Sequence, residues 1–218
     1  MLKQLEIFKE LVSAFRKDNS ISAVLLNGSV AAGTATELSD LDIMVLGNEN
    51  KFASKVVDGI LVEIHYTTFE KAVEKLKNNP MEVYKYLDAK IEFDNGNLQK
   101  IIAYAEEIYN NYRASEKEKH EIRSWLNSTR IKLKSAFLKQ DMVLVSYLVS
   151  TNLWKLLEGV WAVNQKPVPP SGSLFRRYKS LDIIPYPNWF DELLAENIEC
   201  RGKSMLKCIH WTLKELDK

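Results

Sequence analysis

The stretch LLNGSVAAGTATELSDLDIMVLG, residues 25 to 47, limits the fold more than any other part of the chain. Leu25 and Leu26 close an apolar run that begins at Ile21, Gly28 and Ser29 allow a tight turn, and Asp40 and Asp42 open a second run through Ile43 to Leu46. Both runs read as buried strands, 21–26 and 41–46, and the intervening SVAAGTA has room for only a short helix before Gly33 stops it. Residues two apart on a strand point the same way, so the two aspartates share a face. Neighbouring carboxylates repel, and such a pair has to front a cation, a ligand or solvent.

The rest of the chain divides by hydrophobic period. Apolar residues at Leu2, Leu5, Phe8, Leu11, Val12 and Phe15, with charges between them, predict an amphipathic helix over 2–18 and do not form a signal sequence. Asp58-Gly59 between two β-rich runs predicts a hairpin pairing 52–57 with 60–66. Thr67 or Thr68 caps a helix over 69–78, Pro80 starts another over 81–88, and AKIEFD gives a short strand ended by the DNGN turn. From residue 97 onward the spacing is helical, broken only by QKPVPPSGS, where three prolines and a glycine forbid a helix. The expected fold is therefore α+β: an N-terminal mixed-sheet domain over 1–112 and an all-helical bundle over 113–218.

Charge narrows the partners. Thirty basic residues against 29 acids leave a formal net charge of +1, which provides no field for a long polyanion and disfavours nucleic acid. The two cysteines, Cys200 and Cys208, are eight residues apart in a helical segment, roughly 12 Å by the helical rise and too far for a disulfide. Unpaired thiols suit a reducing compartment, and no run approaches the ~20 apolar residues of a membrane span, so a cytoplasmic protein is expected. The oligomeric state is open, a homodimer included.

Glu63 lies in the hairpin's second strand among Leu61, Val62 and Ile64. A glutamate there needs water, a partner or a metal. The ordinary partner is a lysine across the ladder such as Lys55; the alternative sets Glu63 beside the strand of Asp40 and Asp42, giving three carboxylates on one patch. Such a set suits magnesium, a hard cation that takes oxygen ligands and substrate phosphates. Two ions about 3.5 to 4 Å apart clamp the attacking and leaving oxygens of a phosphoryl or nucleotidyl transfer. The Gly28-Ser29 turn, with free N–H groups and a hydroxyl, suits a phosphate.

NGS, then GT, then SDLDI, followed by an acid on a later strand, resembles the nucleotidyltransferase superfamily that includes DNA polymerase β. VEIHYTTFE after a hairpin, with an all-helical second half, resembles the kanamycin nucleotidyltransferase group of antibiotic-modifying enzymes. The resemblance implies that Gly28 and Ser29 hold the phosphates of ATP or another nucleoside triphosphate, and that Asp40, Asp42 and Glu63 bind magnesium. It also implies that a glutamate of the helical half, Glu121 at the corresponding place with Asp141 and Glu158 as rivals, is the general base. Many members carry an arginine after Gly-Ser where this chain has VAAGT, so phosphate neutralisation must come from elsewhere; Arg176 and Arg177 of LFRRYK, with Lys179, are the candidates. Trp125, Tyr147, Trp154 and Trp161 fall at near-helical spacings and are expected mostly in the core, with one or two lining an acceptor pocket. The activity expected is transfer of AMP from ATP to a hydroxyl of a small molecule such as an aminoglycoside-like antibiotic. The alternatives are the same transfer to a protein or tRNA, and a nucleotide-binding or interaction module without catalysis.

Overall fold

The computed structural model describes residues 2–218. Helix α1 (Lys3–Phe15) leads into strand β1 (Ile21–Leu26), the one-turn helix α2 (Gly28–Ala32) and strand β2 (Leu41–Gly47). Strands β3 (Lys51–Val57) and β4 (Ile60–Thr67) form the expected hairpin, turning at Asp58 and Gly59, both at positive φ (51° and 83°). Helix α3 (Phe69–Asn78) follows, its N-terminus capped by the Thr68 side chain, which accepts from the Lys71 N–H. The helix expected from Pro80 is instead a 3₁₀ turn over Pro80–Val83 running into the short helix α4 (Tyr84–Leu87). Strand β5 (Lys90–Asp94) and helix α5 (Leu98–Asn111) close this part. Helix α1 stops at Phe15, short of the expected 18, because the chain turns through Arg16 and Lys17.

The five strands make one mixed sheet in the order β3-β4-β2-β1-β5, with β2 and β4 parallel and the other pairs antiparallel. The period-two pattern assigns its faces. Val24, Leu26, Ile43, Val45, Ile60, Val62 and Ile64 pack under α1, against Ile7, Phe8, Val12 and Phe15. Ala23, Leu25, Met44 and Leu46 turn to the other face and pack against Ala72 and Leu76 of α3, Tyr84 and Tyr86 of α4, and Leu98 and Ile101 of α5. The sheet and its helices form one compact unit, through Asn111 together with Pro169–Ser173. Within it, the Ser173 hydroxyl lies 2.5 Å from an Asp88 carboxylate oxygen.

The second compact unit comprises Tyr112–Val168 and Leu174–Lys218. Its helices are α6 (Glu116–Leu138), α7 (Met142–Val163), α8 (Ser171–Arg177, which begins in the first unit), α9 (Trp189–Leu193) and α10 (Ile198–Leu216). Ser115, Asp141 and Asn197 cap α6, α7 and α10 by accepting backbone N–H bonds. Leu126, Leu133, Val149, Leu156, Met205 and Ile209 lie at the centre of its core. Of the four aromatic residues expected mostly in the core, only Trp161 is buried, whereas Trp125, Tyr147 and Trp154 stand exposed on α6 and α7. Their spacing fixes a helix face, and that face is not one the bundle closes over. No described helix is long and apolar enough to cross a membrane.

Candidate active site

The site begins where β1 ends. Leu26 pairs with Ile43, and the Asn27 N–H donates to the Asp42 carbonyl at 2.9 Å, which brings the Gly-Ser turn beside the first turn of β2. Gly28 takes a φ of +64°, and a Cβ there would stand 2.1 Å from Oδ2 of Asp42. Only glycine fits against that carboxylate. The Ser29 hydroxyl is buried without a hydrogen-bond partner. An orphaned buried hydroxyl costs about 1–3 kcal/mol, a cost that a ligand oxygen would relieve.

The acids come together by register. Asp42 lies beside Glu63 in the parallel β2–β4 pair, and Asp40 precedes Asp42 by one full period. One carboxylate oxygen from each of Asp40, Asp42 and Glu63 lies within 4.8 Å of the other two. Across the hairpin Glu63 faces Ser54, while Lys55 faces Val62 and so sits on the opposite side of the sheet. The lysine pairing that would make Glu63 an ordinary hairpin residue is therefore absent. Burial, and after it the charges of Asp40 and Glu63, push the Asp42 carboxyl up from 3.8 to about 6. Burial and then the charge of Lys85 hold His65, next along the same face, below its ordinary value.

Asp40 is positioned by a residue that the sequence pattern did not single out. Gln4 on α1 is fully buried, and its Nε2 donates to the carbonyls of Thr36 and Ser39 at 2.9 and 2.8 Å. The Thr36 N–H donates to the Ser39 hydroxyl at 2.9 Å, so the polar TELS segment is a fixed turn and not a loose connection. The one signal available was a lone glutamine on the apolar stripe of an amphipathic helix.

The donor set fits a divalent cation. Three hard oxygen ligands converge, burial and after it mutual repulsion raise the affinity of one of them for a proton, and a phosphate-sized partner is invited by the orphaned Ser29 hydroxyl beside Gly28. Among the described residues, no other group of three or more histidine, cysteine or acidic side chains has this metal-binding geometry.

The remaining candidates belong to the helical unit. Glu121 is exposed on α6 and lines a cavity of about 590 Å³ with Trp125, Ser128, Lys132, Asn152 and Lys155. Trp125 is pinned there: its Nε1 donates to Asn152 Oδ1 at 2.7 Å, and Asn152 Nδ2 donates to the Leu148 carbonyl at 2.7 Å. Of Glu121's rivals, Asp141 is occupied in capping α7 and Glu158 is paired with Lys155. Arg176 and Arg177 are half-buried at the end of α8.

No curated protein matches the chain in sequence. Among solved structures, the chain is similar to a nucleotidyltransferase-like protein from Exiguobacterium sibiricum 255-15, with 12% identity and a TM-score of 0.46 over 94% of this chain and 73% of that one. It is also similar to spectinomycin adenyltransferase AAD(9) from Enterococcus faecialis, solved with ATP and spectinomycin, with 13% identity and a TM-score of 0.32 over 99% of each chain. The family profile described as nucleotidyltransferase domain matches residues 5–132, a span that takes in the glycine turn and all three acids. The chain belongs to the nucleotidyltransferase domain family and is a nucleotidyltransferase enzyme.

Proposed function

We propose that this enzyme transfers a nucleoside monophosphate, AMP from ATP, to a hydroxyl of a small molecule, in the manner of the kanamycin nucleotidyltransferase group. The observation that carries the reading is the close packing of Gly28 against Asp42 of an acid triad, with the unpartnered Ser29 hydroxyl next in the chain. Asp40, Asp42 and Glu63 would hold two magnesium ions, whose charge stabilises the attacking and leaving oxygens. Ser29 donates to a phosphate oxygen, and Gly28 clears the approach. The acceptor oxygen bonds to the α-phosphorus as the bond to the bridging oxygen breaks, pyrophosphate leaves with the electron pair, and the hydroxyl proton passes to a carboxylate base. Glu121 is proposed for that base, and Arg176 and Arg177 for further phosphate ligands. A formal net charge of +1 supports a small acceptor over a polyanion.

The test is pyrophosphate release from ATP with magnesium and pooled hydroxyl compounds, alongside calorimetric titration with a non-hydrolysable ATP analogue. Release that requires one small compound and fails in Asp42→Asn supports the reading. Release only with added protein or tRNA replaces it with the macromolecular transfer. Nucleotide binding without any release leaves a binding module. Glu121→Gln is expected to slow turnover about 10²- to 10⁴-fold at unchanged nucleotide affinity, and a normal rate removes it from the chemistry.

A further inference from the structure

Helix α6 carries a polar and aromatic stripe that the core of the helical unit does not use. Glu121, Trp125, Ser128 and Lys132 follow one another at steps of four, three and four residues, so they share one face of the helix along about 16 Å. All four line the cavity of about 590 Å³, which is built wholly from α6 and α7 and has the size of a small-molecule site. Trp125 is 53% exposed, yet its indole is held in place. Asn152, itself buried, accepts from Trp125 Nε1 at 2.7 Å and from Thr129 Oγ1 at 3.0 Å, and its Nδ2 donates to the Leu148 carbonyl at 2.7 Å and to Thr151 Oγ1 at 3.0 Å. Both sides of that amide are thereby engaged. A buried amide dedicated to fixing an open ring is preorganisation, because the ring is ordered before a ligand arrives.

The charges along the stripe say which ligand suits it, given the proposed transfer with Glu121 as base, on which this inference rests. The lining carries one acid, Glu121, against Lys132, Lys155 and His120. Lys155 is already engaged: it pairs with Glu158, and its Nζ stands 5.9 Å from the Trp125 ring centroid. Among the described residues, neither Glu121 nor Lys132 has a hydrogen-bond or ion-pair partner. The two stand three helical turns apart, with the indole one turn from the acid and two turns from the lysine. A ligand lying along the stripe therefore meets a proton acceptor at one end, a ring platform beside it and an unpaired positive charge at the other. Its hydroxyl belongs at the acid, on or next to a ring, and its far end complements Lys132 with negative charge. A polycationic sugar would instead set its ammonium groups against Lys132 and Lys155.

We infer that the α6–α7 cavity is the acceptor subsite, and that the acceptor is a cyclic alcohol carrying a phosphate or carboxylate group, with its reacting hydroxyl at Glu121, its ring on Trp125 and its anionic group at Lys132. This narrows the acceptor away from polycationic sugars. The probes are glucose 6-phosphate and glucuronate, compared with glucose and kanamycin, each added to the full chain with magnesium and a non-hydrolysable ATP analogue. The Trp125 indole N–H resonance is expected to shift with at least one anionic probe at concentrations about tenfold or more below those that glucose or kanamycin requires, and the better of the two tells phosphate from carboxylate. Lys132→Gln is expected to weaken that binding at least about tenfold and Lys132→Arg to retain it, while the analogue's affinity stays within about twofold in both; Lys132 is exposed, so the fold is kept. An unmoved resonance, an equal response to glucose or kanamycin, or an unchanged affinity in Lys132→Gln, with analogue binding intact, would overturn the subsite and leave the transferase reading standing. Pyrophosphate release from ATP that requires a polycationic acceptor would overturn it as well. Failure of the unaltered protein to bind the analogue would overturn both.

Discussion

Along β1 and β2 the acid-bearing face of the sheet is closed by helices, with Leu25 and Met44 packed away from water; along β3 and β4 the same face leaves Phe52 and Val56 in solvent. Both halves have comparable apolar side chains, and a fully buried Leu, Val or Phe contributes about 1.5–3 kcal/mol relative to an exposed one. The fold forgoes that gain on the hairpin. Asp42 and Glu63 sit at the seam between the halves, where the covering layer ends and the acids still reach solvent. The contrast teaches that the helical layer is what closes one half of this face, and that its absence over β3 and β4 leaves the other half in solvent.

The largest effect is expected at the seam. Asp42→Asn should cut nucleotidyl transfer by about 10³-fold or more, since metal charge supplies several kcal/mol and each 1.36 kcal/mol is tenfold, measured by pyrophosphate release. The same change should alter stability in the opposite sense. Asp42 titrates at about 6 in the folded metal-free protein against 3.8 ordinarily, so between those values the folded chain keeps a proton that the unfolded chain has released. Stability therefore falls as pH rises from about 4 to about 6 and stays at the lower level above that; Asp42→Asn should remove this component, leaving a higher Tm at pH 7.

Next comes the covered half. Leu25→Ala, at a fully buried position, should destabilise the protein by about 2–5 kcal/mol in a denaturant titration. Gln4→Ala should cost about 1–3 kcal/mol by stranding the Thr36 and Ser39 carbonyls, and should weaken magnesium binding by freeing the turn ahead of Asp40. The smallest effect belongs to the bare half: Val56→Ser should move stability by less than about 0.5 kcal/mol. A cost at Val56 comparable with that at Leu25 would erase the difference between the halves.

The strands and the triad were legible because period two is a property of the backbone: Asp40, Asp42 and the apolar runs around them declare a face without reference to anything distant. Asp58-Gly59 was legible for the same local reason, since its two residues are ones that tolerate positive φ. What escaped depends on the partner of a face. Lys55 looked available to Glu63 until the antiparallel register put it opposite Val62, on the far side of the sheet. Trp125, Tyr147 and Trp154 showed helical spacing, yet spacing cannot say which helix, if any, covers the stripe. Gln4 was invisible because its partners are backbone carbonyls more than 30 residues away.

The first turn of α1 has a practical consequence for anyone handling the enzyme. Besides Gln4 on the turn leading to Asp40, Lys3 donates from Nζ to the Asp58 carbonyl at the hairpin tip, 2.7 Å away. Two adjacent residues thus hook both flanks of the acid site to one helix end. A purification tag or fusion partner joined there would pull on both hooks at once, and an enzyme assayed in that form would report the linker as much as the chemistry.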